Sequence, residues 1–472
     1  MIRVTIKSRK AGIALYLPLF HSDIQDFLEL RLKTGTQEKR AHSIQIGVCI
    51  NDEFMRRLEK REMWTLFDPY EFEKVMGVNL NKLYDFKKLN EGEVPNKEDH
   101  AFTYYYRKAE ANESMQLAKK VQATEIYKGI YHSRKNSGVP YLFFTDTVNR
   151  LNPNKHAGII YSSNLCTEIF QNMSADSIIS EKILPNGIVE TTVKSGDLVT
   201  CNLSSINHAK LSEPQFTDIY DKVVSIQTRA LDNVISLERA VVPQSIITNN
   251  QYRGIGAGAM GIVEYLTNNS IKWESEEATK AVGELYKRQL KAMIKASHEL
   301  AMEKGSYPLF EGSDWNTGKF FTERGFTGEE WEPYIEMAKK GMRNSVLMAT
   351  APTSSNAVIT NTSPSADPMY DVIYKEKKDG FTFTRIPSNY NNKTKWFMKS
   401  GFEMDEMWAI NHIAEATKYT DQGISHNMHV NKDIKASEML RLDMGAWKKG
   451  LKSIYYTYTS SMQKPEDCLM CQ

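Results

Sequence analysis

The chain has 472 residues, 41% of them hydrophobic and 25% charged, which is the mixture of a soluble globular protein. Basic residues number 60 against 58 acidic ones, so the net charge of +2 leaves no broad cationic surface for nucleic acid. No stretch approaches the roughly twenty apolar residues of a membrane span, and the start, MIRVTIKSRK, lacks the apolar core of a signal peptide. The composition therefore reads as a soluble cytoplasmic protein with no membrane and no nucleic-acid partner.

Taken in order, residues 11–20 (AGIALYLPLF) form an apolar run that predicts a buried strand. Residues 21–32 carry helical spacing, 33–42 are a polar loop, and 43–52 (SIQIGVCIND) alternate like a strand. Strand, helix, loop and strand in succession is the rhythm of an α/β sheet. Residues 53–135 are charged and mostly helical in pattern, and strand character resumes at 138–151 (GVPYLFFTDTVNRL). A long helix is expected from about Ser275 to Lys304, with Gly305 as its stop. Residues 396–452 read as helix, short strand and helix, and SSMQKPEDCLMCQ as a mobile tail. The glycines of RGIGAGAMG (253–261) follow polar TNNQY rather than a strand, so close packing or a helix start explains them better than dinucleotide binding. No repeat and no linker divides the chain, which predicts one large α/β domain.

Five cysteines in so long a chain suit a reducing compartment rather than a disulfide scaffold. Only one CxxC pair exists, so a zinc site is not expected, and the HxxH of His426 and His429 reads as structural. Cys49 reads as a small core residue on its strand. SNLCTEI (163–169) is different: Asn164, Cys166 and Glu168 alternate, and an extended segment would put them on one face. Cys201, in LVTCNLSSIN, falls on an expected strand, where a core role competes with a chemical one. Cys468 and Cys471, at the end of a polar tail, suit a dithiol shuttle carrying reducing equivalents to a buried site. The hydroxyl-rich run TAPTSSNAVITNTSPS (350–365) follows apolar SVLMA, a geometry for holding phosphate, although a generic polar loop explains it equally well. IYYTYT (454–459) sets Tyr455, Tyr456 and Tyr458 together, an ordinary strand or a relay for an electron and a proton.

In this order and at these spacings, SNLCTEI, LVTCNLSSIN, APTSSNA, IYY and the tail CxxC resemble the catalytic large subunit of class I ribonucleotide reductase. The resemblance runs from about residue 8 to the end. It implies a ten-stranded α/β barrel with the cysteine loop threaded through its centre. It implies that Cys166 becomes a thiyl radical that abstracts the 3′ hydrogen of a ribonucleotide. Glu168 would accept the proton of the 3′ hydroxyl, and Asn164 would hold the substrate hydroxyls. Cys201 would be half of the reducing dithiol, with Cys468 and Cys471 regenerating it. Tyr455 and Tyr456 would end the radical relay from a small subunit, and Ser354, Ser355 and Asn356 would hold phosphate. The polar loop 33–42, including Gln37 and Arg40, resembles the segment that links a nucleotide effector site to base selection. No cofactor is bound directly: the radical would come from a metallocofactor in the small subunit, the effectors would be ATP and deoxynucleotides, and the reductant thioredoxin or glutaredoxin.

Family members carry a region ahead of the point where this sequence starts, including a barrel strand and the second reducing cysteine. Cys49 lies after the specificity-type loop, the wrong place to partner Cys201. The expectation is a split large subunit: residues 1–10 an added segment, 11–459 the C-terminal part of an incomplete barrel, and 460–472 a flexible redox-active tail. An N-terminal-half polypeptide would complete it, with a dimer of split large subunits as the assembly. Ribonucleoside diphosphates are the expected substrates. A non-catalytic remnant of that family, or an independent thiol oxidoreductase using the tail pair, are the other readings.

Overall fold

Apolar segments from four distant parts of the sequence assemble the sheet at the centre of the molecule. The computed structural model describes residues 5–6, 9–10, 12–239, 242–378 and 381–460. Its sheet runs in the order Ser453–Ile454, Tyr141–Phe144, Ile44–Ile50 and Ile13–Pro18. The last three strands are parallel, and Ser453–Ile454 joins antiparallel. Parallel neighbours need crossovers, and the one between Ile44–Ile50 and Tyr141–Phe144 holds the helices Asp52–Lys60, Pro69–Met76, Ala101–Glu110 and Ala123–Ser137. The register lines up Leu17, Val48, Leu142 and Ile454 in one row against the main core. Tyr141 and Phe143 point to the opposite face, so all of Tyr141–Phe144 is buried and its YLFF shows no polar alternation. The architecture is mixed α/β, as the rhythm of elements predicts.

Several expectations need correction. Residues 11–20 do contain a strand, but it is the sheet's edge, with Ile13 and Leu15 47% and 45% exposed. Among the described residues nothing pairs with its outer side. The helix expected over 21–32 is confined to Ile24–Glu29, and the strand expected over 138–151 ends at Phe144, where the helix Thr145–Arg150 begins. Cys201 precedes its strand, Leu203–Asn207, rather than lying on it. The glycine run is itself a strand, Gly256–Met260, parallel to Leu203–Asn207. Close packing explains its composition: a Cβ at Gly256 would lie 2.7 Å from Leu203 Cδ2, and one at Gly258 2.6 Å from the Ala349 carbonyl. Gly261, at φ 77°, then starts the helix Ile262–Asn268. Single parallel bridges carry this ladder on, from Ala257 to Met348 and from Thr350 to Ile424.

The long helix spans Glu276–Lys304, with the Ser275 hydroxyl accepting from the Ala278 N–H and Gly305 as its cap. Its buried stripe, which includes Val282, Tyr286, Met293 and Leu300, packs against the helices Pro214–Leu237 and Glu406–Tyr419. Glu406–Tyr419, Met428–Val430 and Ala436–Lys448 supply the expected helix, strand and helix near the end. Cys468 and Cys471 lie outside the described residues. No described helix is long and apolar enough to cross a membrane.

Candidate active site

Residues 163–169 are not extended, and the expected one-faced alternation does not occur. The segment is a tight turn: the Thr167 N–H donates to the Asn164 carbonyl at 3.3 Å, and the Asn164 N–H to the Ile169 carbonyl at 3.4 Å. Thr167 sits at φ 65°, a left-handed conformation that a β-branched residue adopts only where its surroundings impose it. Asn164 organises the turn. Its side-chain oxygen accepts from the Glu168 and Ile169 N–H groups, both at 3.1 Å. Its amide donates to Glu168 Oε1 at 2.8 Å and to Cys201 Sγ at 3.5 Å. The turn thus brings together the residues that alternation was expected to align, and adds Cys201.

A second segment clamps the turn from outside. The Gly423 N–H donates to the Glu168 carbonyl at 2.8 Å, and a Cβ at Gly423 would lie 2.7 Å from both the Thr167 carbonyl and Phe170. The Ser425 hydroxyl lies 3.1 Å from Glu168 Oε2 and hydrogen-bonds the Cys166 carbonyl, and the Ser453 hydroxyl donates to the Thr167 carbonyl at 3.1 Å. Lys452 holds this clamp: its buried Nζ donates to the carbonyls of Thr420, Asp421 and Gln422 at 2.8, 2.6 and 2.7 Å. Burial pushes its pKa well below the usual lysine range.

Cys166 and Glu168 are both buried. Burial is the main influence on Glu168 and pushes its pKa up to about 7; the hydrogen bonds from Asn164 and Ser425 pull the other way. Cys201 opens onto a cavity, yet enough protein surrounds its sulfur to push the thiol up to about 12, with the Glu168 charge adding to the effect. That cavity, of about 460 Å³, is lined by Asn164, Cys166, Glu168, Cys201, Ser355 and Asn356 among others. Ser355 and Asn356 come from the first turn of the helix Ser354–Thr360, which Thr353 enters at φ 52°. Ser354 faces a neighbouring pocket bounded by Tyr455 and Tyr456.

Aromatic rings reach the site from the other side. The Tyr455 hydroxyl lies 3.7 Å from Cys166 Sγ, and the Tyr455 and Tyr456 rings are 4.3 Å apart. Tyr141 packs on both, at 4.8 and 5.1 Å, and Tyr458 stacks on Tyr456 at 5.9 Å. Gln37 and Arg40 do not line the cavity. Gln37 is exposed on a single turn, Gln37–Lys39, while Arg40 donates to the Thr34 carbonyl at 2.8 Å and closes the loop on itself. Cys49 agrees with its bland reading: it is buried, its Sγ donates to the Tyr161 carbonyl at 3.4 Å, and burial pushes it up to about 12. His426 stands between Asp367 at 2.8 Å and Glu406 at 3.3 Å, and these partners raise its pKa to about 9 despite burial, a structural ion cluster. Sequence reading missed Tyr141, Gly423, Ser425 and Ser453. The run DQGIS (421–425), a glycine and a serine in a polar stretch after the helix pattern, was the available signal for two of them.

The sequence matches the family described as ribonucleotide reductase, barrel domain, over residues 4–457. It is 34% identical over 462 residues to the ribonucleoside-diphosphate reductase subunit alpha of Treponema pallidum, covering 96% of this chain and 53% of that one. The subunit of the same name from Helicobacter pylori is 32% identical, with 98% and 64% covered. That of Synechocystis is 31% identical, with 100% and 60% covered. The chain thus spans between half and two-thirds of the length of these relatives.

Proposed function

Because the chain belongs to the ribonucleotide reductase family through its barrel domain, we propose that it is the thiyl-radical component of a ribonucleoside-diphosphate reductase. The observation that carries this reading is the convergence of Cys166, Glu168, Asn164 and Cys201 on one cavity, with the Tyr455 hydroxyl 3.7 Å from Cys166 Sγ on the far side. In its thiol form Cys166 gives an electron and a proton to the relay through Tyr455 and Tyr456. The resulting sulfur radical takes the 3′ hydrogen atom of the substrate. Glu168, poised near neutrality, takes the proton of the 3′ hydroxyl, which assists departure of the 2′ hydroxyl as water, protonated by one thiol of a reducing pair. The pair supplies two electrons and the hydrogen that replaces the hydroxyl at C2′ and closes as a disulfide; Glu168 returns its proton to the 3′ oxygen, and the hydrogen atom on Cys166 returns to C3′. Asn164 holds Glu168 and the substrate hydroxyls, and the helix start of Ser354, Ser355 and Asn356 holds the phosphates, with Ser355 and Asn356 facing the cavity and Ser354 the pocket beside it. Burial of Cys166 supports the reading, since a radical survives only where side reactions are excluded.

One of the two thiols is Cys201. Cys49 is pinned to the Tyr161 carbonyl and does not line the cavity, so the second comes from outside the described residues. The outer side of the edge strand Ile13–Pro18, unpaired among the described residues and with Ile13 and Leu15 exposed, supports a further strand joining there. An N-terminal-half polypeptide that brings both would complete the ten-stranded barrel. Cys468 and Cys471 would reduce the spent pair and be reduced by thioredoxin or glutaredoxin. The radical would come from a small subunit carrying a metallocofactor. ATP and deoxynucleotides would act through the loop of Gln37 and Arg40, in a dimer of such large subunits.

The test is reduction of cytidine diphosphate by this chain alone, with a small subunit, and with both the small subunit and the N-terminal-half polypeptide. Deoxycytidine diphosphate is expected from the complete mixture only, and none from its Cys166→Ser variant. Product from the mixture lacking the N-terminal half would overturn the split reading. A dithiol activity untouched by Cys166→Ser would replace the radical reading with a thiol oxidoreductase.

A further inference from the structure

Ser425 lies between the two parts of the site that must act together. It is wholly buried, and its own backbone is fixed: the Ser425 N–H donates to the Thr350 carbonyl at 2.9 Å, and the Ser365 hydroxyl donates to the Ser425 carbonyl at 3.2 Å. Its hydroxyl reaches two acceptors, the Cys166 main-chain carbonyl and, at 3.1 Å, Glu168 Oε2. A serine has one hydroxyl hydrogen. It serves the ionised carboxylate or the peptide carbonyl, and does not serve both at full strength.

We propose that Ser425 is the positioning residue of the general base, a hydroxyl whose single hydrogen points to Glu168 when that residue is ionised and to the Cys166 carbonyl when Glu168 carries a proton. The inference rests on the reading of Glu168 as the base. In the ionised state the Ser425 O–H donates to Oε2 while the Asn164 amide donates to Oε1 at 2.8 Å. Once a proton rests on Oε2, the carboxyl O–H donates to Ser425 Oγ, and the serine hydrogen turns to the Cys166 carbonyl. No atom is gained or lost beyond the proton that Glu168 accepts. The state of the base is thereby reported to the peptide group that carries the reacting sulfur.

Among the described residues no cation shifts Glu168. The groups that hold Glu168 are Asn164, Ser425 and backbone N–H. The titratable groups that feel its charge are Cys201 and Tyr16, both pushed up by burial and so neutral near pH 7. With burial opposing ionisation, each neutral donor to the carboxylate has a large share in setting where it titrates.

The experiment follows the carboxyl infrared band of Glu168 with pH in the full chain, identified by its loss in Glu168→Gln. In Ser425→Ala the midpoint is expected to rise by about one pH unit, the weight of one hydrogen bond to a charged acceptor. Ser425→Thr, which keeps the hydroxyl, is expected to stay within a few tenths of wild type. Should Ser425→Ala fail to fold, Ser425→Cys gives the same comparison with a weak donor. An unmoved midpoint in a folded variant overturns the proposal, and so does a Thr variant that shifts as far as Ala. In the complete enzyme the acidic limb of kcat/KM should move with the band. Because the titration needs no turnover, a shifted band without ribonucleotide reduction counts against the function proposed for the site and still supports the hydrogen bond. An unshifted band in a working enzyme overturns the role of Ser425 alone.

Discussion

The turn at residues 163–169 and the hairpin formed by Ser177–Ile183 and Val189–Lys194 are neighbours in sequence and are built in opposite ways. The turn is bonded within itself through Asn164 and is also tied to distant segments: to Gly423, Ser425, Ser453 and, through Ser163 at 2.6 Å, to Tyr16. The hairpin bonds to itself, strand against strand, and is exposed along both strands. Ladder bonds suffice to hold a ribbon. A group that must meet another within a few tenths of an ångström is fixed instead by several parts of the fold at once. That is where a residue such as Thr167 tolerates φ 65°.

The largest effects should follow from changing atoms that the turn presents while leaving its supports alone. Cys166→Ser and Tyr455→Phe keep the shape of the site, and each is expected to abolish deoxynucleotide formation in the complete mixture with a nearly unchanged melting temperature. Measurable turnover by Tyr455→Phe would mean that its hydroxyl, 3.7 Å from the sulfur, is a packing neighbour rather than the last relay step.

Glu168→Gln separates stability from chemistry. The loss in kcat/KM is expected to be about 10²- to 10⁴-fold, and the wild-type rate should rise with pH through about 7 as Glu168 ionises. Stability should respond in the opposite sense. The folded pKa lies above the unfolded value, so the folded state binds more protons between the two, and stability falls as pH rises from about 4.3 towards about 7. Glu168→Gln removes that penalty. At pH 8 it should melt higher than wild type, by an amount on the order of 1–3 kcal/mol, with no such advantage at pH 4.

Next comes the clamp. Gly423→Ala drives a methyl to 2.7 Å from the Thr167 carbonyl and from Phe170, so either the turn or the 420–425 segment must move. A cost of about 1–3 kcal/mol is expected from overpacking, read from denaturant unfolding, together with a loss of activity larger than the stability change explains. Equal losses in both would mean that the clamp only supports the fold.

This contrast also sets what the sequence could tell. Short-range patterns were legible: Ser275 and Gly305 bound the long helix where spacing put it, and the parallel strand Ile44–Ile50 followed from apolar alternation. The contents of the turn were legible as residue types, since Asn164, Cys166 and Glu168 do converge with Cys201. Their geometry was not, because the turn is imposed by Gly423 and Ser425, more than 250 residues away in sequence for Ser425 and Cys166. The glycines of Gly256–Met260 were legible as close packing but not as a strand, because they answer to neighbouring atoms rather than to strand propensity. In the edge strand Ile13–Pro18, the same apolar run that predicts burial is left half uncovered among the described residues.

The smallest effects belong to the hairpin, whose one sensitive point is its turn. Asn186 and Gly187 have φ 73° and 76°, the pairing of positive values that closes a tight hairpin. Asn-Gly is its strongest sequence signal, here hidden within LPNGIV. Gly187→Ala forces a Cβ into the left-handed region and should cost about 1 kcal/mol, confined to the hairpin and visible as faster hydrogen exchange at its amides. Ile183, 82% exposed, has no such role, and Ile183→Thr should lie within about 0.5 kcal/mol of wild type. A larger loss from Ile183→Thr, appearing only when the proposed N-terminal-half polypeptide is added, would show the ribbon to be covered in the assembly, and it would then belong with the turn among the parts fixed from several sides.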